Sequence, residues 1–190
     1  MPTELQLLAE EVAACTKCKL AASGRTQVVV SRGDPGSKLV FVGEAPGAEE
    51  DKQGLPFVGR SGQLLDKLAK EEIGLERDEF YVCNVIKCRP PGNRDPEPEE
   101  IEACRPYLER QLELLKPKVV ITLGNFASKQ LLQTKEGITK LRGKSYACPG
   151  RPDIVLIPTF HPAAVLRGGG EPLAQMRADF VRAKQVLVAP

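Results

Sequence analysis

The sequence predicts an α/β protein with a central, mainly parallel four-stranded sheet and helices on both faces. Two observations lead there: four short apolar runs rich in β-branched residues, and stretches of helical apolar spacing between them. Strands that alternate with helices imply right-handed crossovers, and therefore a parallel sheet covered on both sides. The first strand is Leu39–Gly43, LVFVG, an apolar run that ends in a Gly/Pro loop. A helix follows in which Leu64, Leu65, Leu68 and Ala69 share one face, with Ser61 as its N-cap and Gly74 as its stop. Tyr81–Ile86, YVCNVI, is the second strand. Pro98 suits the first turn of the next helix, whose apolar positions are Ile101, Cys104, Leu108, Leu112 and Leu115. Pro106 lies inside that helix and is expected to kink it. Lys118–Leu123 is the third strand, with a short helix over Asn125–Leu132. Ile154–Pro158 is the fourth, and Leu173–Val188 the closing helix. Gly137–Cys148 reads as a hairpin or an edge strand.

The 190 residues suit a single domain, 1–190, and 42% hydrophobic content is enough to fill its core. The net charge of +2 is too weak to announce nucleic acid, so any such reading depends on where the cations sit. No apolar run approaches the ~18 residues of a membrane span, and Met1–Glu11 lacks a basic-then-apolar leader pattern. The expectation is a cytoplasmic monomer with no membrane contact. In that reducing setting the six cysteines point to a metal or cluster more than to disulfides.

Cys15 and Cys18 form a CxxC, while Cys88 and Cys104 stand far downstream. The bland reading of a lone CxxC is packing or a redox pair. Four thiolates could equally hold zinc or an iron–sulfur cluster, and spacing does not choose. Cys83, inside a strand, and Cys148 read as core or spare thiols.

Ligands of open α/β sheets bind outside the carboxyl ends of the strands. That rule selects the loops Gly43–Gly59, Lys87–Pro98, Gly124 onward and Thr159–Gly170. The first begins Gly43-Glu44-Ala45-Pro46-Gly47 and carries Glu49, Glu50 and Asp51; no GK[ST] follows, so it is not a P-loop. Phe57 is either a buried loop anchor or a stacking platform for a flat ligand. Asn84 interrupts an apolar strand. Its amide is either satisfied by neighbouring backbone or reads a ligand, accepting from one group and donating to the next, as N3–H and O4 of uracil require. Cytosine presents the reverse polarity, and a site of buried polar groups can discriminate by ~10⁴ when pairing fails. His161 is the only histidine and lies just past the fourth strand. Leu166 and Arg167 follow it in what reads as a flexible loop; an apolar wedge beside a phosphate-binding cation suits prying a base from a stack.

These residues resemble the family 4 uracil-DNA glycosylases of bacteria and archaea. The matching motifs are GEAPGAEED (Gly43–Asp51), LPFVGRSGQLLD (Leu55–Asp66), YVCNVIKCRPPGNRDP (Tyr81–Pro96) and HPAAVLR (His161–Arg167), and the similarity covers nearly the whole chain. The resemblance implies a three-layer α/β/α sandwich and hydrolysis of the N-glycosidic bond of uracil in single- and double-stranded DNA. It also implies a [4Fe-4S] cluster on Cys15, Cys18, Cys88 and Cys104. Its uracil site maps onto Gly43, Glu44, Ala45, Phe57, Asn84 and His161. Family 1 relatives carry Asp where this chain has Ala45, and family 4 more often has Gly there. Glu44 and Glu50 then remain to hold the water. KCRPPGNRDP has neither the basic insertion nor the histidine of a covalently trapping relative, so covalent capture is not expected.

On this reading His161 and backbone amides near Ala45 stabilise the charge that develops at O2 of the departing base. Lys87, Arg89, Arg94, Arg142, Lys144 and Arg167 are the expected phosphate contacts, and Leu166 the wedge. The rivals from other classes are an iron–sulfur electron carrier and a non-catalytic nucleic-acid-binding module; both leave Asn84, Phe57 and HPAAVLR without a task.

Overall fold

The computed structural model describes residues 1–190. Its helices are α1 (Glu4–Ala13), α2 (Ala48–Gln53), α3 (Arg60–Leu68), α4 (Pro98–Leu115), α5 (Asn125–Leu132), α6 (Ile138–Leu141), α7 (Pro162–Gly168) and α8 (Gly170–Val188). Its strands are β1 (Arg32–Gly33), β2 (Leu39–Gly43), β3 (Tyr81–Asn84), β4 (Val119–Leu123), β5 (Tyr146–Cys148) and β6 (Arg151–Thr159).

The sheet has six strands in the order β1-β3-β2-β4-β6-β5, not four. The inner four, β3, β2, β4 and β6, are parallel, as their apolar runs foretold. The two additions are short antiparallel edges. β1 is only two residues long, too short for a periodicity to register. The ambiguous 137–148 segment resolves into α6 and the edge strand β5. No helix is long and apolar enough to cross a membrane.

Strand alternation divides the core. Val40, Val42, Tyr81, Cys83 and Val120 face one side, packed with Leu8 and Val12 of α1 and Leu108 and Leu112 of α4. Leu39, Phe41, Val82, Val119 and Ile121 face the other, with Leu65 and Leu68 of α3 and Met176 and Phe180 of α8. The result is a three-layer α/β/α sandwich. α4 runs through Pro106 without a break.

Three local differences bear on function. α3 begins at Arg60 with Gly59 as N-cap, so Ser61 does not cap the helix. The strand of Tyr81–Ile86 ends at Asn84, and the chain bends from Val85 onward. The HPAAVLR segment is the helix α7, not a flexible loop: Pro162 occupies its first turn, and His161 is its N-cap.

The end of β6 is pinned by a buried carboxylate. Asp179 of α8 accepts from Thr159 Oγ1 at 2.7 Å, from Arg142 Nη2 at 2.9 Å and from Gly143 N at 3.1 Å. Thr159 lies two residues before His161, so this junction sets where β6 delivers the histidine. Removing one partner of such a buried pair leaves an uncompensated charge, at a cost of about 3–5 kcal/mol. Asp179→Ala should destabilise the protein by that order in urea denaturation, with Asp179→Asn milder. An unchanged midpoint for Asp179→Ala would remove the junction from this role.

Candidate active site

Parallel pairing sets Gly43 directly beside Asn84 at the carboxyl ends of β2 and β3. The chain continues the exchange past both strands, Val85 N donating to Gly43 O at 2.9 Å and Ile86 N to Glu44 O at 3.1 Å. An open pocket lies above, lined by Glu44, Ala45, Gly47, Glu50, Phe57, Ser61, Asn84, Asn93, Arg94, Asp95, His161 and Arg167. All the expected uracil-site side chains meet here, with Gly43 at the floor.

Asn84 is 1% exposed, and its Oδ1 is buried with no hydrogen-bond partner. An unsatisfied buried acceptor costs about 1–3 kcal/mol unless something arrives to satisfy it. A Cβ on Gly43 would lie 2.6 Å from the Phe57 ring and closer still to Asn84 Oδ1. Glycine therefore lets the Asn84 amide and the Phe57 ring close directly on the end of β2.

Phe57 has φ +55°, rare for a non-glycine residue. Two contacts hold the strained loop. Gly62 of α3 lets the helix pack on the Phe57 carbonyl, where a Cβ would collide. Glu50 Oε1 accepts from Val58 N and Gly59 N, each at 3.2 Å. Glu50 thus staples the aromatic loop to α2, and only part of its carboxylate remains for water.

His161 faces Phe57, ring centroids 5.7 Å apart. Its Nδ1 accepts from Ala163 N at 3.1 Å, so a neutral ring carries its proton on Nε2. Burial, reinforced by Arg167, pushes its pKa down to about 4. The imidazole is neutral at physiological pH, with an N–H donor free for the pocket.

Glu44 accepts no side-chain hydrogen bond; burial first, then the Asp95 charge, pushes its carboxyl up to about 7. It is the carboxylate best placed to change protonation near neutrality.

The expected DNA contacts divide. Leu166 is 44% exposed on α7, and Arg167 and Lys144 are exposed. Arg89 lies at the surface and donates to Asn93 Oδ1 at 2.7 Å. Lys87 cannot touch DNA: it is 1% exposed, and its Nζ donates to Asn84 O and Gln111 Oε1, each at 2.6 Å. Arg142 is held by Asp179 and lies over the Phe160 ring at 5.6 Å. Arg94 is paired with Glu100. All three were read as surface cations because a sequence does not display a charge's partner. Ser61, Asn93 and Asp95 were missed as pocket residues; nothing in their spacing marks them.

Cys15, Cys18, Cys88 and Cys104 line a second, small cavity with Val12, Leu20, Val28, Ile86 and Tyr107. Cys83 and Cys148 lie buried elsewhere in the core. No three His, Cys, Asp or Glu side chains gather closely enough to hold a single metal ion. Four cysteines lining one cavity supply the soft donor set that zinc or an iron–sulfur centre takes. Arg25 donates to Cys88 Sγ and to Cys15 O, each at 2.8 Å, tying two thiol-bearing segments together. Burial pushes the Cys104 thiol up to about 11 and raises Cys88 as well, so these thiols need a cationic centre to become thiolates.

Fold and pocket define an α/β protein with a pocket of polar groups and one phenylalanine ring at the carboxyl ends of its parallel strands. Residues 30–186 match the model of the uracil DNA glycosylase superfamily. The chain is 44% identical to the type-4 uracil-DNA glycosylase of Sulfurisphaera tokodaii over 191 residues, covering 98% of this chain and 86% of that protein. It is 43% identical to the type-4 enzyme of Thermotoga maritima over 185 residues, covering 96% of this chain and 94% of that one. The chain belongs to the type-4 uracil-DNA glycosylase family.

Glu44 yields a pH prediction. Its folded pKa of about 7 lies above the ordinary 4.5, so its contribution to stability is complete below about 4.5 and is lost as pH rises through 7. Glu44→Gln should match wild type in Tm at pH 4.5. At pH 8.5 it should exceed wild type by about 2–4 °C, the shift expected for ~1 kcal/mol in a chain of this size. An equal Tm at both pH values would remove the raised carboxyl.

Proposed function

We infer that this chain hydrolyses the N-glycosidic bond of uracil in DNA, the step that opens base excision repair. The observation that carries the reading is the buried, unpartnered Oδ1 of Asn84 in the wall of a pocket that Phe57 and His161 also line. Uracil supplies the missing donor, N3–H, while its O4 accepts from the Asn84 amide and its ring stacks on Phe57.

His161 takes the O2 edge. Bond cleavage leaves negative charge on the base, chiefly at O2, and an oxocarbenium-like sugar. A neutral Nε2–H donor stabilises that charge without having to give up a proton, an effect worth ~10²–10³ in rate for one such donor. Glu44 holds the water at the sugar; Ala45 cannot, and Glu50 is occupied with the Phe57 loop. Flipping the base costs a few kcal/mol, least in single strands and mismatches. Leu166 fills the stack that the base leaves, and Arg89, Lys144 and Arg167 engage phosphates.

The four cavity cysteines hold a [4Fe-4S] cluster with a structural role, joining the N-terminal segment to the β3–α4 connection. The supports are the four cysteines lining one cavity and the Arg25 bond to Cys88. No step of the hydrolysis passes through it.

Two experiments test these assignments. Single-turnover release of free uracil from a labelled oligonucleotide should be fast in wild type and reduced by at least tenfold in Asn84→Asp, which faces O4 with an acceptor. Some activity on cytosine should appear, and unchanged uracil kinetics would take base reading away from Asn84. For the cluster, substituting Cys15, Cys18, Cys88 or Cys104 should lower iron content and Tm, whereas Cys83→Ala and Cys148→Ala keep the iron. Full iron in Cys88→Ser would overturn the assignment.

A further inference from the structure

We propose that Glu100 is a positioning residue for the base pocket: from the wall of the cysteine cavity it grips Arg94, and through Arg94 it holds the 90–95 segment on the pocket rim. The inference rests on the reading of that pocket as the uracil site.

Glu100 has a wholly buried side chain, 0% exposed. It accepts from Arg94 Nη1 at 2.9 Å, from Arg94 Nη2 at 2.6 Å and from Glu97 N at 2.9 Å. This is the bidentate geometry in which arginine binds carboxylate most firmly. The same Arg94 Nη1 donates to Asp95 O at 3.0 Å, so one guanidinium fixes both the carboxylate and the peptide beside it. Glu97, itself paired with Lys19, approaches Arg94 to 3.4 Å and completes a cage of opposite charge.

The two partners belong to different cavities. Glu100 lines the cysteine cavity, and Cys104 follows it on the same face of α4 one turn later. Arg94 lines the base pocket with Asn93, Asp95 and Glu44. Beside it Asn93 has φ +55°, a left-handed turn conformation that asparagine adopts more readily than most residues, and accepts from Arg89 Nε at 2.7 Å. The pair therefore spans the wall between the cavities, and whatever orders α4 also orders the rim. Arg94 has both terminal nitrogens committed to Glu100, so its charge is neutralised where it stands. Its role is that of a tether, and not of the phosphate contact expected from sequence.

The test uses the holoenzyme and the variants Glu100→Gln, Arg94→Gln and their double, with Glu100→Asp as a version that keeps the carboxylate. The readouts are single-turnover uracil release, iron content with visible absorbance, and the salt dependence of binding to uracil-free DNA. Each Gln variant should cleave roughly tenfold or more slowly, as expected for a displaced pocket rim. The double should be no slower than either single, because the two residues act as one unit. Glu100→Asp should recover part of the rate. Iron content and salt slope should match wild type throughout. The proposal is overturned by a wild-type rate in Glu100→Gln, by losses that multiply in the double, or by iron loss in Glu100→Gln. It is also overturned if Arg94→Gln flattens the salt slope by about one phosphate. Failure of the uracil reading would appear separately, as no uracil release by wild type.

Discussion

The parallel register of β2 on β3 is the constraint from which the pocket follows. It sets Gly43 beside Asn84, so a position that must lack a side chain adjoins one whose amide must be enclosed. Parallel strands all release the chain on the same side of the sheet, which brings the loops after β2, β3 and β6 together. Each then contributes one kind of chemistry: Glu44 and the Phe57 platform, the Asn84 amide, and the His161 imidazole. Every one is braced by a neighbour. Glu50 staples the Phe57 loop, Asp179 pins the end of β6, and Lys87 donates to the Asn84 carbonyl from below.

Much of this was legible in the sequence, because strands and pocket residues announce themselves through composition. LVFVG and KVVITL cannot be stable outside a buried sheet, and a polar Asn84 within YVCNVI needs a reason. The edge strands were not legible: two or three residues carry no period, and their pairing depends on the strands already in place. α7 was misread because Gly168–Gly170 suggested flexibility, whereas Pro162 and the His161 cap start a helix before those glycines are reached. The cations misled for another reason. Lys87, Arg94 and Arg142 look like surface charges until the fold supplies Gln111, Glu100 and Asp179, residues 24, 6 and 37 positions away.

α1 and the segment after it are joined to the rest by the packing of Leu8, Val12 and Leu20, by Arg25, and by Lys17 and Lys19 on Tyr107 and Glu97. The cavity gathers the N-terminal segment, the turn after Asn84 and the middle of α4 around one point. A centre bound there would fix three chain segments at once without entering the reaction, which is the economical use of a cluster in an enzyme with no electron to move.

The histidine shows how the fold selects a chemical form. Capping its own helix through Nδ1 leaves the imidazole one tautomer, and burial beside Arg167 removes the cationic form. A cation would stabilise the uracil anion more strongly by charge alone, but it would have to be made in a pocket that disfavours it. A neutral donor is ready in the ground state and needs no reorganisation as charge develops. The burial that depresses His161 also raises Glu44, so loss of water acts on the two groups in opposite senses. Near neutrality the site then holds an uncharged donor on the base side and a carboxyl poised between its two forms. On the proposed reading, such a donor stabilises the departing base without a charge that must first be made, and Glu44 supplies a carboxylate toward the sugar.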